Sequence, residues 1–218
     1  MQVVDPLFAR LARLHTALVS DVLDALGHRT GAMDFRIRAL GRTRQVVGRA
    51  FTLASASVEE PERVPYEKLL AAYRHMSPRD VVVLATDGEL QSGVWGELLS
   101  TAARARGALG AVTDGLTRDL EQIDLMGFAV FARGTSPTDS AGRQAVQAFG
   151  ERIVCGGVDV HPGDVVFGDA AGVVVIPSAL ADEAVGLAEE KHRGESVVRA
   201  ELERGDDPAE VFARYGIL

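Results

Sequence analysis

The sequence predicts an α/β fold with central βαβ units, on three observations. Short apolar runs, VVVLA, ALGAV and FAVFA, recur in the middle of the chain, segments with helical periodicity separate them, and the junctions contain glycine. Parallel strands need crossover connections, and a helix flanked by short turns is the usual crossover. The middle of the chain is therefore expected to form a parallel sheet.

The first third of the chain is predicted to contain a helix, a strand and a second helix. Apolar residues at three- and four-residue spacing predict one amphipathic helix over residues 5–26, ended by Gly27. A basic, turn-rich stretch follows. The segment RAFTLASASVE, residues 49–59, has the β-branched and small residues typical of a strand, and helical periodicity returns from Pro65 to His75.

The middle of the chain supplies three buried strands and two helices. Two of the strands end in the tripeptide TDG, at Thr86–Gly88 and Thr113–Gly115. Ligand crevices of parallel sheets open at the carboxyl ends of the strands, so both turns are expected on that edge. In order, the predicted elements are a strand in residues 81–88, a helix over 94–106, a strand in 108–115, a helix over 117–126 and a strand in 128–134.

The last third of the chain changes character. Residues 151–177 contain short β runs separated by Gly, Asp and Pro, which predicts antiparallel hairpins. Asp169, between two such runs, is interpreted as a turn residue rather than a crevice carboxylate. From Ser178 a charged helix is predicted, broken near Gly194 and again at residues 205–208. With no internal repeat or linker, residues 1–218 are expected to form a single domain with a C-terminal helical tail.

Composition excludes several classes of function. The chain has 218 residues, 47% hydrophobic and 25% charged, with a net charge of −8 and no basic run, so nucleic-acid binding is not expected. No segment approaches the roughly 18 apolar residues of a membrane span. The N-terminus lacks a signal-peptide pattern, and the single cysteine, Cys155, is expected in the core. These features predict a cytoplasmic protein.

Covalent and zinc chemistry are also disfavoured. The five histidines show no HxH or HxxxH spacing, which argues against a histidine-rich zinc site. Schiff-base catalysis needs a desolvated lysine. The two lysines, Lys68 and Lys191, both lie in polar helical stretches.

The segment TDGLTRDLEQ provides a candidate site, since Arg118 and Asp119 follow the second TDG turn. Arg118 offers a planar fork for a substrate carboxylate, and Asp119 a hard oxygen ligand for Mg²⁺ or Mn²⁺. The alternative is an aspartate at a helix N-terminus beside a surface ion pair. The residues alone leave the two interpretations equal.

A second candidate lies in TDGELQSGVWGELLST. Glycines at 88, 93 and 96 allow close approach of backbone to a ligand, and a helix beginning here would direct N–H groups at an anion. The alternative is an ordinary flexible βα turn. Neither a Walker motif nor GxGxxG is present.

These segments together resemble the RraA-like family. The resemblance rests on the joint pattern GELL…TDGxxRD…PGD…D…GVVVIP and runs from about residue 14 to the end. The family contains the class II 4-hydroxy-4-methyl-2-oxoglutarate/4-carboxy-4-hydroxy-2-oxoadipate aldolases and the regulator of ribonuclease E activity A. It implies a β/β/α-layered fold, assembled as homotrimers or dimers of trimers (homohexamers), with active sites at subunit interfaces.

The resemblance also assigns site residues. It implies that the loop Gly96, Glu97, Leu98 and Leu99 gives backbone amides to a pyruvate carboxylate. Arg118 matches the arginine on the keto and enolate oxygen, and Asp119 matches the ligand of a divalent metal, Mg²⁺ or Mn²⁺. Glu97 occupies the position of a carboxylate that helps to order a catalytic water, where the family often has Asp.

The implied function is that of a metal-dependent pyruvate aldolase, a carbon–carbon lyase acting on 4-hydroxy-2-oxo diacids. Oxaloacetate decarboxylation is the implied second reaction, because it passes through the same enolate. The alternative is a non-catalytic regulator that binds a ribonuclease or another protein. Regulator-type members tend to lack the aspartate after the arginine, and this chain has Asp119, which favours the enzyme.

Overall fold

The computed structural model describes residues 5–60, 63–64 and 66–217. Pro65, where the second predicted helix begins, lies outside these residues. The helices are α1 Pro6–Leu11, α2 Thr16–Ala25, α3 Glu67–Tyr73, α4 Glu97–Ala105, α5 Leu120–Leu125, α6 Ala181–Glu203 and α7 Pro208–Tyr215, with a 3₁₀ turn at Ser178–Leu180. The strands are β1 Arg38–Leu40, β2 Val46–Ser57, β3 Asp80–Ala85, β4 Gly93–Trp95, β5 Gly110–Thr113, β6 Leu116–Thr117, β7 Ala129–Ala132, β8 Gly134–Thr135, β9 Gln144–Phe149, β10 Ile153–Cys155, β11 Val158–Val160, β12 Val165–Asp169 and β13 Gly172–Ile176.

An eight-stranded mixed sheet forms the centre of the structure. Its order is β1-β7-β5-β3-β2-β12-β13, with β9 pairing the second half of β2. Strands β2, β3, β5 and β7 run parallel, and β1, β9, β12 and β13 are antiparallel to their neighbours. The predicted parallel sheet of βαβ units is therefore confirmed, and antiparallel strands extend it on both sides.

A second, smaller sheet lies beyond the carboxyl ends of three parallel strands. Each of β3, β5 and β7 leads through a turn into one short strand, and β4, β6 and β8 pair in parallel. Both TDG turns are at this edge, as predicted. Two helix boundaries were wrong here: Gly93–Trp95 and Thr117 are strand residues, and the helices begin only at Glu97 and Leu120.

Apolar residues of the large sheet pack on both of its faces because side chains alternate along each strand. Val82 and Leu84 pack with Trp95 and helices α3, α4 and α5, whereas Val81 and Val83 pack with Cys155 of the β10–β11 hairpin. A third cluster joins α1, α2 and α6 to β12 and β13. The result is a layered arrangement of sheets and helices. The C-terminal hairpins were predicted correctly.

The predicted helix over residues 5–26 is interrupted, because α1 ends at Leu11 and α2 begins at Thr16. Asp169 stabilises this start by accepting hydrogen bonds from Thr16 N at 2.8 Å and Thr16 Oγ1 at 2.7 Å. It also accepts from Ala171 N at 2.8 Å, so its interpretation as a turn residue is confirmed. Asp169, 153 positions away in the sequence, therefore helps to fix the start of α2.

The expected break near Gly194 is absent, since α6 runs unbroken from Ala181 to Glu203. A Cβ at Gly194 would lie 2.9 Å from Ile217 Cδ1. Glycine here therefore allows the chain after α7 to approach α6 closely, which outweighs its low helix propensity of about 1 kcal/mol relative to alanine. The break at residues 205–208 is confirmed, because α7 begins at Pro208. No helix in the described part of the chain combines the length and apolar composition needed to span a bilayer.

Candidate active site

A cavity of about 300 Å³ lies between the small sheet and helices α3 and α4, and we call it the outer cavity. Its polar side chains are those of Tyr66, Arg118, Asp119, Asp139 and Ser140, and the rest of its wall is mostly apolar. None of its lining residues belongs to the eight-stranded sheet. The lining residues are Tyr66, Leu69, Leu70, Gly93, Val94, Gly96, Leu98, Leu99, Arg118, Asp119, Asp139 and Ser140.

Arg118 is positioned by the pairing of β6 with β4. Its N–H donates to the carbonyl of Trp95 at 2.8 Å, and the hydroxyl of Thr117 donates to the same carbonyl at 2.9 Å. Trp95 is itself fixed, because its indole Nε1 donates to Ser100 Oγ at 2.8 Å and Ser100 Oγ donates to Gly96 O at 2.9 Å. The arginine thus follows a rigid two-residue strand.

Asp119 adopts a left-handed backbone conformation, with φ 55° and ψ 34°. Aspartate is one of the few non-glycine residues that visit this region, although the conformation is unusual for any side chain. Its carbonyl accepts from Gln122 N and Ile123 N, which begins α5. Its carboxylate does not cap α5 and instead accepts from Glu97 N at 3.3 Å, at the start of α4.

The side chains of Arg118 and Asp119 meet in the outer cavity. Arg118 Nε lies 3.3 Å from Asp119 Oδ2, and Arg118 Nη1 lies 3.1 Å from Asp139 Oδ1. The side chains of the pair are only 34% and 38% exposed. Partly exposed ion pairs of this kind contribute little to stability. Their shared place on a cavity wall favours the interpretation as a site over that as a surface pair.

Two of the three glycines singled out in the sequence make room for this pair. A Cβ at Gly96 would lie 2.8 Å from Asp119 Oδ2 and 2.9 Å from Arg118 Cγ, and one at Gly93 would lie 2.9 Å from Arg118 Cβ. All three contacts are shorter than real Cβ atoms show. Gly88 contacts Arg133 instead and does not line the outer cavity.

The loop Gly96–Leu99 forms the N-terminus of α4, where the first N–H groups have no intrahelical acceptor. Such groups favour an anion. Leu98 and Leu99 line the outer cavity, and Leu98 is 78% exposed at its mouth. The carboxylate of Glu97 does not line the cavity, because its Oε1 accepts from Thr101 Oγ1 at 2.8 Å one turn along the helix. Only the backbone N–H of Glu97 reaches Asp119.

The donor set fits a divalent metal of the magnesium type. Asp119 and Asp139 present hard carboxylate oxygens, and Mg²⁺ characteristically binds through one or two carboxylates with water and substrate oxygens. Among the described residues, no cluster of three or more His, Cys, Asp or Glu side chains is present. The Asp119 carboxylate on the cavity wall fits an open magnesium or manganese site.

Several cavity residues were missed by sequence reasoning. Asp139 and Ser140 lie in a loop after β8, Tyr66 directly precedes α3, and Leu70 lies within α3. Polar residues are common in loops, so the sequence does not mark Asp139 as a site residue. Tyr66 has a positive φ of 59°, which cannot be read from its sequence context. These residues join the site only through tertiary packing.

The fold and the cavity define an α/β protein in which a small parallel sheet beside a large mixed sheet carries an arginine–aspartate site. The family model for RraA-like proteins, described as Aldolase/RraA, matches residues 16–175, and the chain belongs to this family, which includes both aldolases and RraA regulators.

One relative is the protein named "Putative 4-hydroxy-4-methyl-2-oxoglutarate aldolase" of Halalkalibacterium halodurans. It is 33% identical over 176 residues, covering 81% of this chain and 79% of the relative.

Solved structures share the fold. An uncharacterized protein from Pseudomonas syringae pv. tomato superposes with a TM-score of 0.82 at 26% identity, covering 97% of this chain and 98% of the other. RraAS2 of Streptomyces coelicolor, described as an unusual member of the RNase ES inhibitor RraA protein family, has a TM-score of 0.79 at 29% identity, covering 91% and 98%.

Proposed function

We propose that the chain is a divalent-metal-dependent, class II pyruvate aldolase. Its substrates would be 4-hydroxy-2-oxo diacids of the 4-hydroxy-4-methyl-2-oxoglutarate or 4-carboxy-4-hydroxy-2-oxoadipate type, and oxaloacetate decarboxylation would be a second reaction. The observation that carries the proposal is the convergence of Arg118, Asp119 and the first amides of α4 on one cavity. The aldolase name of the 33% identical relative supports it.

In this proposal the amides of α4 bind the substrate carboxylate, and Arg118 donates hydrogen bonds to the C2 oxygen. During cleavage the C3–C4 bond breaks, its electron pair forms the enolate of pyruvate, and the C4 hydroxyl gives its proton to a catalytic water as it becomes a carbonyl. C3 then takes up a proton from that water to give pyruvate. Charge develops on the C2 oxygen, where a preorganised guanidinium stabilises it most effectively.

Asp119 would hold the Mg²⁺ or Mn²⁺ ion, and Asp139, which pairs with Arg118 Nη1, would keep the guanidinium in place. The bound metal would supply Lewis-acid polarisation of the substrate oxygens. Glu97 keeps the role that the family pattern implies, ordering a catalytic water, and this requires its carboxylate to exchange its bond with Thr101 for one to the water.

A lysine imine is disfavoured as the electron sink. Lys191 pairs with Asp21 on the outside of the structure, and Lys68 is an exposed residue of α3. Neither lines the outer cavity. Imine catalysis needs a desolvated amine, so Arg118 and the metal would stabilise the enolate charge instead.

The second candidate is a regulator that binds a ribonuclease or another protein. The similarity to RraAS2 favours it, since that protein is described as a member of an RNase inhibitor family. The regulator would not need Asp119 in a left-handed conformation directed at α4. We therefore favour the aldolase.

We also propose that the chain assembles as a homotrimer or a dimer of trimers with sites at the subunit interfaces. Leu70 and Leu98, 58% and 78% exposed, place apolar surface at the mouth of the outer cavity, where a second subunit would cover it. Light scattering coupled to gel filtration measures the assembly, and a monomeric mass would refute it.

The function is tested by following pyruvate release from oxaloacetate and from 4-hydroxy-4-methyl-2-oxoglutarate, with Mg²⁺ or with EDTA. We expect release that depends on the metal. Arg118→Ala and Asp119→Asn should each lower turnover by about 10²–10³, the usual loss for one charge stabiliser. Asp159→Asn, at an exposed carboxylate paired with Arg152 on the β10–β11 hairpin, is the matched control. Wild-type protein that releases no pyruvate from either substrate would refute the aldolase.

A further inference from the structure

A second, smaller cavity of about 40 Å³ lies inward of the outer cavity, and we call it the inner cavity. The two share Tyr66, Leu69, Val94, Leu99 and Ser140, so they lie against each other. A single water needs about 10–15 Å³ of such space. The inner cavity therefore has room for a small substituent and not for a whole substrate.

One polar group of the inner cavity has no partner. Gln144 is 5% exposed, and its Oε1 accepts a hydrogen bond from Ser92 Oγ at 2.6 Å. This bond fixes the amide, and Nε2 makes no hydrogen bond to any described residue. A buried donor left without an acceptor costs about 1–3 kcal/mol. The chain retains this donor at the wall of a cavity that adjoins the candidate active site.

Two short connections tie Gln144 to Arg118. Ser92, which binds the amide, precedes Gly93, and Gly93 lies against Arg118, since a Cβ on it would be 2.9 Å from Arg118 Cβ. On the other side, the N–H of Gln144 donates to Ser140 O at 2.9 Å, and the preceding residue, Asp139, pairs with Arg118. Gln144 is thus linked to the arginine through two short stretches of chain.

The lining of the inner cavity selects an uncharged oxygen. Apart from Ser55, Ser140, Gln144 and Tyr66 its lining is apolar, and no charged side chain is among the residues that line it in the described part of the chain. A carboxylate would lose its hydration there without gaining a cation, which is costly. A methyl group would leave the amide donor unpaired. A hydroxyl supplies an acceptor to Nε2 and carries no charge.

We propose that Gln144 binds the C4 hydroxyl of a 4-hydroxy-2-oxo acid in the inner cavity and is a specificity-determining residue of the aldol cleavage. The inference rests on the proposed function and names the substrate atom that this cavity takes. The carboxylates of the substrate stay in the outer cavity with Arg118 and α4. As C3–C4 breaks, the hydroxyl gives its proton to the catalytic water that Glu97 orders, and Nε2–H stabilises the charge that develops on that oxygen before it becomes the carbonyl oxygen of the second product.

The test compares two substrates that differ at this atom. 4-Hydroxy-2-oxoglutarate has a C4 hydroxyl, whereas oxaloacetate has none and reports on Arg118 and the metal alone. Gln144→Met and Gln144→Glu both remove the amide donor, and the second keeps an acceptor for Ser92. Gln147→Met makes the first substitution at an exposed position of the same strand, so it is the matched control.

We expect both Gln144 variants to lower kcat/KM for 4-hydroxy-2-oxoglutarate by about 10- to 100-fold, as for a lost hydrogen bond to a charged group. Oxaloacetate decarboxylation and the inhibition constant of 2-oxoglutarate, which lacks the hydroxyl, should stay at wild-type values. Gln147→Met should match the wild type on both substrates.

Equal losses on both substrates would show a purely structural role and overturn the proposal, as would unchanged rates on both. If the wild-type protein and both Gln144 variants cleave 4-hydroxy-2-oxoglutarate equally well, the proposed aldolase function is retained and the role of Gln144 is refuted. A wild-type protein active on neither substrate would refute the proposed function and this assignment with it.

Discussion

Replacing Gly96 by alanine tests whether the position of the Asp119 carboxylate matters for activity. Gly96 has an extended backbone, with φ −152° and ψ −172°, which alanine adopts without strain. Its new Cβ would lie 2.8 Å from Asp119 Oδ2, whereas ordinary contacts begin at 3.4 Å. The carboxylate therefore has to move by about 0.6 Å, the difference between these two distances, and Arg118 Cγ, 2.9 Å from the new Cβ, has to move as well, while the fold is retained.

A displacement of that size is large for a metal ligand, because magnesium demands near-ideal octahedral geometry. Misplacement of a reacting group by about 1 Å can lower a rate roughly 10²-fold. We expect Gly96→Ala to lower kcat by about 10- to 100-fold and to raise the Mg²⁺ concentration needed for half-maximal activity. The assay is pyruvate release from oxaloacetate over a Mg²⁺ titration, with the melting temperature measured in parallel.

The control is Gly134→Ala, because a Cβ at Gly134 meets nothing closer than Leu116 Cδ2 at 3.5 Å. This variant should match the wild type in both rate and Mg²⁺ dependence. Wild-type kinetics for Gly96→Ala would mean that the position of Asp119 is irrelevant to activity, and the reasoning about the metal ligand would fail.

Two further predictions concern the support of the site. Ser100→Ala removes the acceptor of the fully buried Trp95 indole, so the free energy of unfolding in urea should fall by about 1–3 kcal/mol. Ser196→Ala removes a similar i to i−4 hydroxyl bond on an exposed helix face and should change the free energy of unfolding little. Equal effects of the two substitutions would contradict the reasoning. Burial raises the pKa of the Cys155 thiol well above its ordinary value. Iodoacetamide should therefore alkylate Cys155 in urea but not in the native protein, as measured by mass spectrometry. Rapid alkylation of the native protein would contradict this prediction.

The sequence predicted the parts of the fold that depend on local pattern. Buried strands such as β3 and β7 are continuous apolar runs, and the TDG turns follow from glycine and aspartate chemistry. The small sheet escaped prediction because its strands have two or three residues, too few for any period to appear. Val94 and Trp95 were therefore assigned to the helix that follows them.

The site residues that could be predicted are those that lie close together in the sequence. Arg118 and Asp119 are neighbours in sequence, and the glycine pattern before α4 pointed to the amides. Gln144 and Ser92 are 52 positions apart, and neither stands out from ordinary polar residues in its segment. Their pairing exists only because β9 adds to β2 beside the turn that precedes β4. Such contacts are set by topology, which no local pattern reports.

The small sheet separates the outer cavity from the large sheet that supports it. The residues lining the outer cavity come from β4, from α3 and α4 with the residue before each, and from the segments that follow β6 and β8, so none of them is a strand residue of the large sheet. Mutations around Arg118 and Asp119 can therefore accumulate without replacing a residue of the eight-stranded sheet. The inner cavity is different, because Gln144 belongs to β9 of that sheet, so a change of specificity there also alters the core.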